Sequence, residues 1–480
     1  MSHWNPIQIS LLSFLILSLS SHTSMGQGLG EGYAPPRAPT LLIPEAPSLS
    51  PSDTEVDDFL QVPNARERFS VSGKGLAVVV IDSGINTSHI MFAGRLIEGR
   101  NFSDDGGPNE MRDTGRNQNT GLIEPNGHGS NVAGIIAGTK LPAFEQMPIG
   151  IAHDAKIIPL KVFPGGSFAK INESLQWILD NRDRILEEHG VLISVVNMSL
   201  GIPGDNRVDD SGSLPQSIID QRDLIRQLRE KHVAVVISSG NSYASAMPSS
   251  EGMSIPGIFK ETVSVAAVYD TNFPAGVPPL PRTYVDGGTV KQAVAGRLTV
   301  FSQRLSETTG GVYRTDICGP GFFVTSAGPA VGSDPNRSRT TQDGTSQAAP
   351  TVSGLILLGQ QLWRDKMLAA DPSSFSDDKL PTVDEIESSL RDGGITVNDL
   401  EDAIGIAMDN VTSSGQAFVR ADATGFLSQI DSLTPSTTPT APRTLQALQA
   451  ELFGKSPEDQ KRIIGEFKKG EGIFETFNKR

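Results

Sequence analysis

Four polar residues occupy positions where a side chain could do chemistry. Asp82 ends the apolar run in VVVIDSGIN, His128 lies between two glycines in EPNGHGSNVAGIIAG, Asn241 follows Gly240 in SSGNSY, and Ser346 opens a small-residue stretch in QDGTSQAAP. Most have an ordinary alternative. Ser346 taken alone is a helix cap, with Pro350 tolerated in a first helical turn. Asp82 and Asn241 read equally as turn residues, although a carboxylate closing a buried strand is costly unless something pairs with it. His128 is less ordinary, because flanking Gly127 and Gly129 let backbone and substrate approach the imidazole closely. His89, His153, His189 and His232 sit in loop or polar contexts without that feature. Together, an Asp, a His, an amide donor and a Ser at a helix start form a complete set for acyl transfer: orienting carboxylate, base, oxyanion donor and nucleophile.

Positioning such a set requires a scaffold, and the apolar pattern supplies one. GLAVVVID (75–82), AKIIPLKVF (155–163), VLISVVNMSL (191–200), HVAVVISSG (232–240) and TVSVAAV (262–268) are apolar on consecutive positions. That is the pattern of strands buried on both faces of a parallel sheet. Helical spacing lies between them, over 168–186 (Ile171, Leu175, Ile178, Leu179, Leu186) and from Pro215 through Leu228. Strands alternating with helices predict an α/β fold: a doubly wound, mostly parallel sheet with helices on both faces. Working residues in such folds gather at the carboxyl ends of the strands, which is where these runs stop.

The blocks VVIDSGI, NGHGSNVAGIIAG, VVNMSLG, VVISSGN and DGTSQAAPTVSGL resemble, in order, those of subtilisin-like serine proteases (subtilases of peptidase S8 type), and the likeness runs from about Gly75 to Leu355. The resemblance implies a subtilisin-like fold and a serine endopeptidase. Ser346 would attack the scissile carbonyl, His128 would shuttle the proton, Asp82 would hold the imidazole, and Asn241 with the Ser346 backbone N–H would bind the oxyanion. It also implies an extended polypeptide substrate beside Gly165, Gly166, Ser199, Leu200, Gly201 and Gly240; simple turn formation is the alternative for these glycines. The segment 390–430 resembles the closing stretch of bacterial subtilases, with Arg420 and Asp422 in an Arg-x-Asp before a last helix.

Three features depart from that pattern. Gln347 stands directly after the nucleophile where the family commonly has Met; residues 27–70 lack the core-forming pattern of a folded propeptide; and 269–299 reads as an insertion. Gln347 keeps one other reading open, a catalytically inactive binding or scaffold protein; a peptide ligase or cyclase, with a different acyl acceptor on the same scaffold, is a further alternative that nothing in the sequence favours. The acidic loop 101–126 carries Asp104, Asp105 and Asp113. Calcium takes such oxygens, but the spacing fits no defined loop, so a solvated loop is expected, with no cofactor required for catalysis and structural calcium left open.

Composition bounds the rest. Of 480 residues, 37% are hydrophobic and 20% charged, ordinary for a globular protein with a sizeable core. The net charge of -15 disfavours nucleic acid and anionic membrane surfaces as partners. The apolar run from Ile9 to Leu19 is too short to span a bilayer comfortably and is followed by small residues, so residues 1–26 are expected to be a signal peptide despite the missing basic n-region. Secretion or the cell envelope (periplasm or extracellular) follows as the expected location, and a monomer as the expected state. Residues 27–70 read as a Pro/Ser-rich linker or short propeptide, 71–433 as the peptidase domain, and 434–480 as a linker and short helical tail. The single cysteine, Cys318, permits no intrachain disulfide and is expected to be a buried small hydrophobe.

Overall fold

The structure is a computed structural model, and it describes residues 55–434 except 142–146, 210–213, 244–250, 271–283, 287–288, 292–294, 300, 371–379 and 400–413. The expected signal peptide and nearly all of the expected C-terminal tail therefore lie outside the described residues.

A nine-stranded sheet organises the chain. Its strands are β1 (Leu76–Asp82), β2 (Arg100–Asn101), β3 (Lys156–Lys161), β4 (Leu192–Met198), β5 (Ala234–Ser238), β6 (Val263–Val268), β7 (Ile317–Pro320), β8 (Ile395–Asn398) and β9 (Ala417–Arg420). Their order is β8-β9-β7-β6-β5-β4-β1-β3-β2. Every pairing is parallel except that of the edge strand β8 with β9. The five apolar runs are adjacent strands in the middle of this sheet, as their unbroken hydrophobicity requires.

Helices cover both faces. Besides a single turn at Glu307–Gly310, the α-helices among the described residues are α1 (Glu55–Phe59), α2 (Val62–Phe69), α3 (His128–Ala137), α4 (Phe168–His189), α5 (Gln216–Glu230), α6 (Thr345–Ala370), α7 (Val383–Asp392) and α8 (Ala423–Ser432). On one face α4 and α5 bury Ile171, Leu175, Ile178, Ile218, Ile225 and Leu228 against Ala77, Val79 and Ile81 of β1 and their neighbours. Side chains alternate along a strand, so Val78, Val80 and Asp82 turn to the opposite face, where α3 and α6 pack against β1. The same alternation that builds the core thus aims Asp82 at the two helices carrying His128 and Ser346.

One expectation about the domain needs revision in detail. Residues 55–70 do not form an extended linker: Val56, Leu60, Val62 and Ala65 are buried, the Leu60 carbonyl accepts from Ala423 N at 2.8 Å, and Arg66 donates to Gly150 O at 3.1 Å. Apolar side chains spaced among charged ones give this segment two short amphipathic helices, so the folded body begins before Val71. Only the ends of the expected insertion 269–299 and two short strands within it are described. Tyr269 N donates to Arg297 O at 2.9 Å and Gly296 N to Tyr269 O at 2.8 Å, so the insertion leaves and rejoins the sheet at one point, the end of β6.

Cys318 on β7 is fully buried, and burial pushes its thiol up to about 12, the inert small hydrophobe that was expected. At the end of the described chain, Arg420 lies over the Phe59 ring, and Asp422 accepts from Gly425 N at 2.7 Å, capping α8.

Candidate active site

Asp82 is the last residue of β1, and the chain turns out of the sheet immediately after it. Gly84 has φ of 103°, and a Cβ there would lie 2.5 Å from Arg112 O and 2.6 Å from Met111 O, so only glycine makes this turn. The Asp82 carboxylate is buried and accepts from Ser83 N at 2.7 Å. A buried carboxylate needs a partner, and the partner is His128, whose Nδ1 lies 2.8 Å from Oδ1 and 3.0 Å from Oδ2.

His128 is the first residue of α3, after Gly127 at φ 92°. A Cβ on Gly129 would sit 2.1 Å from Gly84 O and 3.2 Å from Asp82 Oδ1, so the glycine after the histidine lets α3 press onto the end of β1. Asn126 Oδ1 accepts from His128 N at 3.0 Å and fixes the entry to the helix. Because Nδ1 donates to Asp82, the neutral ring presents the Nε2 lone pair, and Nε2 has no hydrogen-bond partner among the described residues. Burial alone would depress the imidazole, but the charge of Asp82 and its hydrogen bond lift His128 above its ordinary 6.5.

Ser346 occupies the first turn of α6 and is fully buried. Its Oγ donates to Ser199 O at 3.3 Å, and Ser199 Oγ donates back to Ser346 O at 2.7 Å. Asn197 and Ser353 extend this brace: Ser353 Oγ donates to Asn197 Oδ1 at 2.9 Å and Asn197 Nδ2 to Ser199 Oγ at 3.0 Å. The nucleophile candidate is therefore tied to the end of β4 through side chains of α6 itself.

Asn241 follows β5. Its Oδ1 accepts from Thr345 N at 2.9 Å and from Thr345 Oγ1 at 2.8 Å, while its buried Nδ2 has no hydrogen-bond partner among the described residues. Thr345 Oγ1 also accepts from Gly240 N at 3.1 Å. An amide held by its oxygen, with its N–H group left over at a helix N-terminus, is a preorganised donor for an anion. Sequence reasoning missed Thr345 and Ser83; their adjacency to Ser346 and Asp82 was the only available signal.

The expected substrate-side residues fall into two groups. Ser199, Leu200 and Gly201 follow β4, with Ser199 in contact with Ser346, and Gly240 at φ 117° packs on Gln303. Gly165 and Gly166 follow β3, but the close contacts that demand glycine there are internal: added Cβ atoms would meet Asp104 Oδ2 at 1.8 Å and the Phe163 ring at 2.2 Å. Gly165 O also accepts from Lys170 Nζ at 2.9 Å.

Gln347 is buried under the nucleophile and donates from Nε2 to Gln342 Oε1 at 3.1 Å and Asn131 Oδ1 at 3.3 Å. It joins the local packing. The three acidic-loop carboxylates diverge: Asp104 pairs with Lys170, Asp105 with the buried Lys161 at 3.0 Å, and Asp113 turns inward to Ser83 and Ser130. Among the described residues no three His, Cys, Asp or Glu side chains are grouped so as to hold a metal ion, and no helix is long and apolar enough to cross a membrane.

Known proteins share this arrangement of chain. The Subtilase family profile matches residues 73–372. The major intracellular serine protease of Bacillus subtilis (strain 168) is 26% identical over 306 residues, 63% of this chain and 75% of that protein. Serine protease AprX of the same organism is 27% identical over 364 residues, 73% of this chain and 67% of its own. Among solved structures, a protease from Pseudoalteromonas arctica PAMC 21717 aligns with a TM-score of 0.50 at 21% identity, covering 80% of this chain and 100% of that one, a likeness of fold.

Proposed function

The chain belongs to the subtilase family of serine endopeptidases, and on that premise we propose that it cleaves polypeptides through Asp82, His128 and Ser346 by way of an acyl-enzyme. The observation that carries the reading is the buried Asp82–His128 pair, which leaves Nε2 without a hydrogen-bond partner among the described residues, on a helix that packs against α6. Ser346 Oγ attacks the carbonyl as Nε2 takes its proton, and the imidazolium that forms is stabilised by Asp82. Negative charge then develops on the carbonyl oxygen, where Asn241 Nδ2 and the Ser346 backbone N–H donate, with the N-terminal end of the helix dipole behind them. His128 returns the proton to the leaving amine, and water repeats the sequence on the acyl-enzyme. An extended substrate would lie along the strand-end segment Ser199–Gly201, with Gly165, Gly166 and Gly240 at its margins.

Hydrolysis of casein or a peptide anilide, beside a Ser346→Ala control, tests the proposal. Turnover that vanishes in the control supports it, and equal turnover in both overturns it. One observation favours a second reading, a binding protein without turnover: Ser346 Oγ donates to Ser199 O while Nε2 has no hydrogen-bond partner among the described residues. Catalytic hydrogen bonds are often long before substrate binds, which is why activity is the leading reading. A fluorophosphonate probe separates the two, since it labels only an activated serine. Product masses from a peptide with added amine separate hydrolysis from ligation. Export rests on the apolar segment Ile9–Leu19, and N-terminal mass analysis of chain recovered from culture medium tests it.

A further inference from the structure

Asp113 belongs to the acidic loop and has no part in the steps above, yet it is only 4% exposed and points into the site. Its Oδ2 accepts from Ser130 N at 2.8 Å and Ser130 Oγ at 2.6 Å. Ser130 Oγ itself accepts from Asn86 N at 2.9 Å, so its single proton is directed to Asp113. The other oxygen, Oδ1, lies 2.7 Å from Ser83 Oγ. That same hydroxyl lies 3.0 Å from Asp82 Oδ1 and accepts from Gly129 N at 3.1 Å.

Two carboxylate oxygens therefore converge on one hydroxyl that owns one proton. With both acids ionised, one of these contacts would set an anion against a lone pair in a buried site, at substantial cost. Asp82 is the acid that must be ionised, because it takes the Nδ1–H of His128 and the Ser83 N–H. From this count we infer that Asp113 is a neutral carboxylic acid donating its proton to Ser83 Oγ, which turns the Ser83 hydroxyl onto Asp82 and makes Asp113 a positioning residue for the Asp82–His128 pair. Every acceptor in the run from Asp113 through Ser83 to Asp82 then meets a donor.

The surroundings agree. Burial pushes the Asp113 carboxyl above its ordinary range against the hydrogen bonds of Ser130 and Ser83, and the charge of Asp82 adds to the rise. The charged groups around it are Asp82 from β1, His128 from α3, Lys161 from β3, and Arg112 and Asp105 from its own loop; Lys161 is paired with Asp105 and Arg112 with Glu110. The consequence for catalysis is that His128 faces one full negative charge and not two. A second buried anion would hold the imidazole protonated to higher pH and take it out of use as a base.

The inference rests on the triad reading for its catalytic meaning, so the test has one arm that needs no turnover. At neutral pH the infrared difference between the Ser346→Ala and Ser346→Ala/Asp113→Asn chains is expected to carry the carbonyl stretch of one protonated carboxylic acid, the raised carboxyls of Glu387 and Asp316 being common to both and cancelling. In the otherwise unaltered chain, Asp113→Ala is expected to lower kcat about 10-fold with KM held within about twofold, the scale of one lost orienting hydrogen bond. Asp113→Asn places an amide N–H where the acid O–H stood, and is expected to recover most of that kcat while leaving the acid limb of kcat/KM in place. A limb that moves to lower pH by about half a unit in Asp113→Asn, or the absence of the infrared band, would show that Asp113 was ionised and overturn the inference. The band present in a chain that never cleaves would sink the triad reading while sustaining the proton assignment. If Asp113→Ala does not fold, the infrared arm and the Asn variant still decide.

Discussion

Replacing Asn241 with alanine should slow the chemical step without weakening substrate binding. In the resting structure the Asn241 oxygen accepts two hydrogen bonds from Thr345, at 2.9 and 2.8 Å, while Nδ2 is buried without a partner. A buried unpaired donor costs about 1–3 kcal/mol in the ground state, and that cost is relieved when an oxyanion forms beside it. The interaction is thus made in the transition state and not with bound substrate, the condition for an effect on kcat. Losing one such donor costs about 2.7–4 kcal/mol, or roughly 100- to 1,000-fold in kcat, a range measured on a subtilisin. Thr345→Val supplies the intermediate case. It keeps the backbone N–H on Asn241 Oδ1 and removes the hydroxyl's bond to that oxygen, worth about 0.5–1.5 kcal/mol, so kcat should fall about 2- to 12-fold, while the hydroxyl's second bond, from Gly240 N, is lost to stability. Because Thr345 acts through Asn241, the double variant should lose little beyond Asn241→Ala alone. Steady-state kinetics on a peptide anilide, with thermal melts to check folding, measure all three. A loss of less than about 10-fold in Asn241→Ala, a loss carried by KM, or full additivity in the double variant would refute the reasoning.

Three further outcomes follow from the structure. Since Asp82 lifts His128 above 6.5, the acid limb of kcat/KM should have its midpoint above that value, with activity rising as the imidazole loses its proton; in Asp82→Asn burial is left to dominate, and the His128 C2–H resonance should titrate at lower pH. The Arg304–Asp399 pair is fully buried at 2.9 Å, so Asp399→Ala removes the counter-charge of a buried guanidinium and should destabilise the fold by about 3–5 kcal/mol in denaturant titration. Gln361 Oε1 accepts from the backbone N–H groups of Ser72, Gly73 and Lys74 at 2.7, 2.6 and 3.1 Å, and Gln361→Ala should cost about 1–3 kcal/mol and expose the chain near residue 73 to proteolysis, read by denaturant midpoint and limited digestion.

Much of the scaffold was legible because burial on both faces leaves an unmistakable trace. The five β-branched runs could be nothing but interior strands, and Ile171, Leu175 and Ile178 at helical spacing could face only the sheet. Shorter elements were hidden. Residues 55–69 bury four apolar side chains among charges and a proline, a density too low to distinguish from a linker until Gly150 and Ala423 are brought beside them. The edge strand β8 and its neighbour β9 carry the same weakness, being too short for periodicity to register.

For the site, the residue types, their order and the glycines around His128 belong to the sequence, because the chemistry of acyl transfer admits few side chains and close approach admits one residue. Their assembly belongs to the tertiary structure. Asp82 and His128 meet because strand alternation and Gly129 bring α3 onto the end of β1, and Asn241 becomes a donor because Thr345, far away in sequence, holds its oxygen. Asp113 illustrates the division most sharply. In the chain it is one of three acids in a loop and reads as a solvated charge or an ion ligand; folded, it is buried against Ser83 and Ser130. A local pattern records which side chains are apolar and how they repeat, whereas the protonation and partner of a polar group depend on donors that arrive from distant parts of the chain.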